Sequence, residues 1–206
     1  MRMTFVYGCP ACGCMVKRMP WDAEDPGGIK YYSDQHPDAD LHPNYPGLIA
    51  CRDCGEVFIM SKRHLLGSVG ELRGDVGWEE LCKMPFGGSL GDGGVYLRSL
   101  ELCTTDNQRA MLRLGAWWAF NREYLATGDM GVYRREDYID NCRVLAERFK
   151  ESLRWSDVAL AIEMYRNIGE FDRCEGMLSC FRKSPLSKQL MAASKGRRIE
   201  TFELKP

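Results

Sequence analysis

Hydrophobic and polar positions change rhythm near residue 94. Before it, apolar residues come in short runs beside cysteine pairs: "MTFVYGC" at 3–9 and the alternating, aromatic "EVFIMSK" at 56–62. Such runs predict short strands. Between them Met15–Ala50 is polar and turn-rich, with Pro20, Pro26, Pro37, Pro43 and Pro46, and reads as an extended insertion. The glycine-dense stretches "GSVGELRGDVGW" (67–78) and "PFGGSLGDGGVY" (85–96) read as a flexible crossing. A phosphate-binding loop at 87–94 would need lysine and then serine or threonine after its last glycine, whereas Val95 and Tyr96 follow.

After residue 94 the period becomes helical. "VYLRSLEL" (95–102) predicts a short helix, and Thr105 or Asp106 is placed to cap a longer one over 107–126. Its stripe of Met111, Leu114 and Trp118 turns Trp118 inward and leaves Trp117 to solvent, because neighbours cannot share a helix face. It ends near Gly128. A second stripe joins Ile139, Cys142, Ala146, Phe149 and Leu153. A third joins Val158, Ala161, Ile162, Tyr165 and Ile168 behind a Ser156 or Asp157 cap, and Gly169 breaks it. Phe171, Cys174, Leu178 and Phe181 mark a fourth, stopped at Ser184-Pro185. The fold class expected is α+β: a small N-terminal zinc ribbon of short strands, then a mostly α-helical domain of hairpins. The boundaries expected are 1–66 for the ribbon, 67–93 for the join, 94–185 for the helical domain and 186–206 for a basic, solvated tail.

Composition adds two constraints. With 206 residues and a formal net charge of −1, the chain has a core-sized length and no basic excess for polyanions. No apolar run approaches the roughly 18 residues of a membrane span. The N-terminus lacks the apolar core and cleavage site of an export signal, so a cytoplasmic location is expected.

The ten cysteines sort by spacing. Cys82, Cys103, Cys142, Cys174 and Cys180 stand singly and read as small buried hydrophobes. Cys9, Cys12, Cys51 and Cys54 form two C-x-x-C pairs, "CPACG" and "CRDCG", each followed by glycine. A tight turn lets both thiolates of a pair meet one ion, and the residue after the second cysteine needs the positive φ that glycine tolerates. Two such knuckles supply a tetrahedron of sulfur, the donor set of one structural Zn²⁺ per chain. A thioredoxin-like redox pair would predict one motif, not two. Rubredoxin-like iron uses the same knuckles, but little else here matches that family. Cys14 lies just past the first knuckle and reads as a spare thiol. Four thiolates leave no open position for catalysis. His36 and His42, each followed by proline, read as an extended connection, although with Cys14 they are the candidates for a second, open metal site.

Helices three and four resemble a tetratricopeptide repeat through Ala161, Ile162, Tyr165, "GEF" at 169–171 and Cys174 at the small position. "LRLGAWWAF" resembles the first helix of another. Over most of its length the chain resembles a group of uncharacterised bacterial proteins that join a zinc ribbon to a tetratricopeptide-like helical domain. The resemblance is carried by CPACG, "YYSD" (31–34), "PNYPGLIACRDCGEVFIMSK" (43–62), "RLGAWWAFN" (113–121) and "EMYRNIGEFDRC" (163–174). It implies the two-part architecture and the four zinc cysteines, and no activity.

The function expected is that of a non-catalytic adaptor, whose helical hairpins bind a protein or peptide partner. The alternatives are a nucleic-acid-binding zinc ribbon, disfavoured by seven basic against eight acidic residues over 1–66, and a metal-dependent enzyme.

Overall fold

The computed structural model of the chain describes residues 5–18, 30–35, 37–38, 48–51, 53–59, 62–72, 74, 92–180 and 184–205. It is α+β, a strand region followed by a mostly helical one. The residues divide into two units, neither continuous along the chain. One holds 5–18, 48–51, 53–59, 62–72, 74 and 95–115. The other holds 30–35, 37–38, 92–94, 116–180 and 184–205. Residues 30–35 and 37–38, part of the insertion between the knuckles, thus belong with the helices. Among the described residues no helix is long and apolar enough to cross a membrane.

In the first unit β1 (Phe5–Gly8) pairs antiparallel with β2 (Met15–Arg18) and, on its other edge, with β7 (Leu65–Ser68). β7 takes its last two residues from the glycine-dense crossing and runs on into the single turn α1 (Val69–Leu72). A second hairpin joins β5 (Leu48–Ala50) to β6 (Val57–Ile59). The period of two gives β1 and β2 two apolar faces. Val6 packs with Met15, Val69 and Leu72, while Val16 packs with Cys9, Ile49, Cys51 and Phe58. The two-residue strands β3 (Lys30–Tyr31) and β4 (Pro37–Asp38) pair within the other unit. Helix α2 (Gly93–Arg98) and a 3₁₀ turn (Ser99–Leu102) fill the expected short helix.

Helix α3 (Asp106–Thr127) starts where the sequence indicates. Thr105 Oγ1 accepts from the Gln108 N–H (3.2 Å), and Gln108 Oε1 accepts from the Thr105 N–H (3.1 Å), a reciprocal capping box. Next come α4 (Glu136–Phe149), α5 (Trp155–Asn167), α6 (Phe171–Ser179) and α7 (Pro185–Lys195), each packed against its successor. Gly128 (φ +72°) and Gly169 (φ +77°) carry the chain out of α3 and α5 in the left-handed conformation. From Val158 to Asn167 every residue of α5 is buried, so this helix is the spine of its unit.

Four expectations are corrected here. Trp117 is fully buried and Trp118 only partly, the reverse of the stripe reading. Between Leu114 and Asn121 nearly every position of α3 is buried, so apolar spacing cannot choose a face there; hydrogen-bond partners do. The Trp117 indole N–H reaches Tyr138 OH and Asn167 Oδ1, both at 3.2 Å, and Tyr138 OH in turn donates to Asn121 Oδ1 at 3.0 Å. Neither Ser156 nor Asp157 caps α5: Arg154 holds the cap position, and the Asp157 carboxylate takes the Arg154 guanidinium and the Ser152 hydroxyl instead. Leu153 lies beyond the end of α4, fully exposed.

Finally, Ser184-Pro185 is a helix start rather than a stop. Proline at the first helical position brings its preset φ and needs no N–H partner, while Ser184 Oγ accepts from the Ser187 N–H at 3.0 Å. The supposed solvated tail therefore carries α7. Beyond it a strap over 198–203 lies against α5, with Thr201 buried. Phe181, Cys82 and loop residues 87–91 lie outside the described residues.

Two predictions follow from these contacts. Ser184→Ala removes the α7 cap and is expected to cost about 1 kcal/mol in denaturant unfolding. Tyr138→Phe leaves Asn121 Oδ1 without its donor in a fully buried site and is expected to cost about 1–3 kcal/mol by the same measurement.

Candidate metal centre

Each cysteine pair sits in the turn of a hairpin, and the two turns are built alike. The Cys9 N–H donates to the Cys14 carbonyl (2.9 Å) and the Gly13 N–H returns to the Cys9 carbonyl (2.9 Å). The Cys51 N–H donates to the Glu56 carbonyl (2.8 Å) and the Gly55 N–H returns to the Cys51 carbonyl (2.9 Å). Gly13 (φ +76°) and Gly55 (φ +78°) close the turns in the left-handed region, as the spacing of the motif requires. A Cβ at either glycine would meet nothing within 4 Å, so the restriction is conformational and not steric crowding. Gly13→Ala is accordingly expected to cost about 1–2 kcal/mol of backbone strain, read as roughly tenfold weaker metal binding in a chelator competition.

The hairpins bring the sulfurs of Cys9, Cys12, Cys51 and Cys54 within 4.8 Å of one another. Cys9 Sγ is 3.6 Å from Cys54 Sγ, and Cys12 Sγ is 3.7 Å from Cys51 Sγ. A tetrahedron with metal–sulfur bonds of about 2.3 Å has edges of roughly 3.8 Å, so the donors already stand at the vertices an ion needs. In each pair the first cysteine is buried and the second exposed, which roots the site in the core of Val16, Ile49 and Phe58 while its outer edge faces water. The four residues thus stand close enough together to hold one metal ion.

Local charge fits that role. The backbone N–H of Cys54, and then that of Asp53, point at the Cys51 sulfur and pull its thiol down to about 7 against the effect of burial. At Cys54 the Glu56 N–H pulls the same way but is outweighed by the crowding of the Cys12, Cys9 and Cys51 thiols, with some loss of solvent at the sulfur, which push it up to about 12. Four thiolates at this spacing repel one another, and a divalent cation is the group that lets all four ionise. Among the described residues Cys14 stands outside the four-sulfur group. It makes a hydrogen bond to the Asp53 carboxylate, which with burial pushes its thiol up to about 12. His36 and His42 lie outside the described residues. His64 meets the Ile59 carbonyl through Nδ1 (3.1 Å) and stands perpendicular to the Phe58 ring. It lines a cleft of 470 Å³ in the first unit, with Pro10, Phe58, Lys62, Arg63 and Leu102.

Comparison of the chain with protein-family models, with curated proteins and with solved structures finds no match. Function therefore rests on the site and the packing alone.

Proposed function

We propose that the chain is a non-catalytic adaptor: a ribbon held by one structural zinc ion, joined to helices that bind a segment of a partner protein. Four thiolates in two hairpin knuckles suit zinc, and rubredoxin-like iron, which takes the same knuckles, is disfavoured because little else in the chain matches that family. Four protein sulfurs fill a tetrahedron, leave no position for water, and make the centre a poor Lewis acid. A strand region followed by successive short-linked helices is the two-part architecture this reading calls for, and α5 and α6 are the pair in which the tetratricopeptide-like residues fall.

The observation that carries the adaptor reading is the strap: the helical unit already grips an extended stretch of polypeptide by its main chain. Affinity capture of the tagged chain, with and without nuclease, tests it. A specific protein retained after nuclease, and lost when Asn167 becomes alanine, supports an adaptor working through this face. Material lost with nuclease moves the function to nucleic acid, for which Lys62 and Arg63 beside the first-unit cleft are the groups to replace.

A further inference from the structure

We infer that the face formed by α5, Tyr133 and Ser33 is a docking site for an extended polypeptide segment of a partner, and that residues 198–203 occupy it as an intramolecular stand-in. The inference deepens the adaptor reading and rests on it.

The strap is held by its backbone over five consecutive residues. The Arg166 guanidinium donates to the carbonyls of Arg198 and Glu200, the latter at 2.9 Å, and the Asn167 amide donates to the Ile199 carbonyl at 2.6 Å. Tyr133 OH accepts from the Thr201 N–H at 2.8 Å. Ser33 completes the series, its N–H donating to the Phe202 carbonyl (2.8 Å) and its Oγ accepting from the Phe202 N–H (3.1 Å). Tyr32 continues it as an antiparallel bridge to Glu203. Polypeptide of almost any sequence presents these same groups, as in recognition by strand addition.

Arg166, Ser33 and Asn167 also have partners outside the strap, Asn167 Oδ1 accepting from the Trp117 indole. Glu163 pairs with Arg166 one helical turn away, and Ser33 Oγ donates to Glu163 Oε1 at 2.5 Å. Arg166 is thereby aimed before any carbonyl arrives, the preorganisation that makes a binding site cheap to fill. Specificity comes from two side chains of the strap. Thr201 is buried, and the ring of Phe202 lies beneath the Arg166 and Arg198 guanidiniums at 5.1 and 5.3 Å. The partner segment is therefore extended and carries a small residue followed by an aromatic one.

The strap is also built to leave. It departs from α7 through the exposed residues Gly196, Arg197 and Arg198, and Arg197 is a non-glycine residue in the left-handed region (φ +53°). Its far end is tied to α7 by exposed hydrogen bonds between Lys205 and Gln189. Release at this turn gives up the hydrogen bonds from the Arg197 and Arg198 amides to the carbonyls of Ser194 and Ala193, at the last turn of α7 only.

The test uses the full chain with a protease recognition sequence at Gly196–Arg197, folded and then cleaved. A fluorescent peptide matching 197–205 is titrated against the intact and the cleaved protein and followed by anisotropy. Saturable binding to the cleaved form is expected, with at least about tenfold weaker binding to the intact form, because a tethered strap competes at roughly millimolar effective concentration. Asn167→Ala, and alanine at the Phe202 position of the peptide, are each expected to weaken binding about fivefold or more. Equal binding to both forms, or a folded cleaved chain that takes up no peptide, overturns the inference and makes the strap a fixed piece of core. A dimer of the intact chain that the peptide dissolves assigns the face to strap exchange between copies and overturns a foreign partner.

If the cleaved chain loses its helical signal, hydrogen exchange on the intact chain decides. Thr201 and Phe202 amides exchanging at least about a hundredfold faster than those in the middle of α5 support separate opening of the strap, and equal rates overturn it. The two readings fail separately. A partner captured through another surface, with a strap that does not exchange, keeps the adaptor and removes this inference. Strap exchange with no partner captured does the reverse.

Discussion

Cys51→Ser is expected to abolish stoichiometric metal binding and to unfold the strand unit while the helices persist. The reason lies in what that unit has for a core. The buried cluster around the knuckles is Cys9, Val16, Ile49, Cys51 and Phe58, so two of its members belong to the four-sulfur group. Among the described residues the other three members, with the separate cluster of Val6, Met15, Val69 and Leu72, are a small core for two hairpins, so the ion is expected to supply much of the stability, with about 10–16 kcal/mol of apparent binding energy available in structural zinc sites. Serine puts a neutral hydroxyl where a thiolate stood. It also leaves the N–H groups of Cys54 and Asp53 without the anion they face. Native protein should carry one metal ion per chain by elemental analysis, and Cys51→Ser about none. Far-UV circular dichroism should keep its helical signal while the dispersed amide resonances of β1, β2, β5 and β6 collapse. Cys14→Ser is the matched control and should keep its metal, because its sulfur stands outside the group. Retained stoichiometric metal in Cys51→Ser would sink the four-ligand centre.

How much of this was legible in the sequence depends on whether a feature is local. The knuckles are local: the glycine after each second cysteine states the need for positive φ, and Gly13 and Gly55 adopt it. Helix ends governed by neighbours, such as the Thr105–Gln108 box and the breaks at Gly128 and Gly169, were readable for the same reason. The face of α3 was not, because its middle is apolar all round and only distant partners settle which tryptophan turns inward. Tyr138 and Asn167, which receive the Trp117 indole, are 21 and 50 residues away. The strap was hidden more thoroughly. Basic residues at 195, 197 and 198 suggest solvation, and nothing near them says that Arg166 and Asn167 will hold the carbonyls that follow. A signal was present in α5 itself. A helix with every residue from 158 to 167 buried cannot leave Glu163, Arg166 and Asn167 without partners. "EMYRN" inside an apolar helix was therefore a request for polar partners from elsewhere in the chain.

That request sets the second large effect. Arg166 and Glu163 are both fully buried and joined by a two-point ion pair, Arg166 Nε lying 2.7 Å from Glu163 Oε2. Burial pulls the Arg166 guanidinium down, and the adjacent Glu163 carboxylate more than restores it, so the guanidinium stays charged. Arg166→Met keeps most of the volume but strands a carboxylate in the core with Ser33 Oγ as its remaining donor among the contacts described, and also frees the carbonyls of Arg198 and Glu200. Removing one partner of a buried pair costs about 3–5 kcal/mol, which makes this the most destabilising single change expected in the helical unit. The cost belongs to the stranded charge rather than to a strong pair, so Glu163→Leu combined with Arg166→Met should recover at least about half of it. Equilibrium denaturation of the two single variants and the double variant measures the coupling. If the double variant is as unstable as the sum of the singles, the pair is not acting as a unit. What then holds 198–203 in place is the backbone grip of Asn167, Tyr133 and Ser33, which Asn167→Ala would expose next.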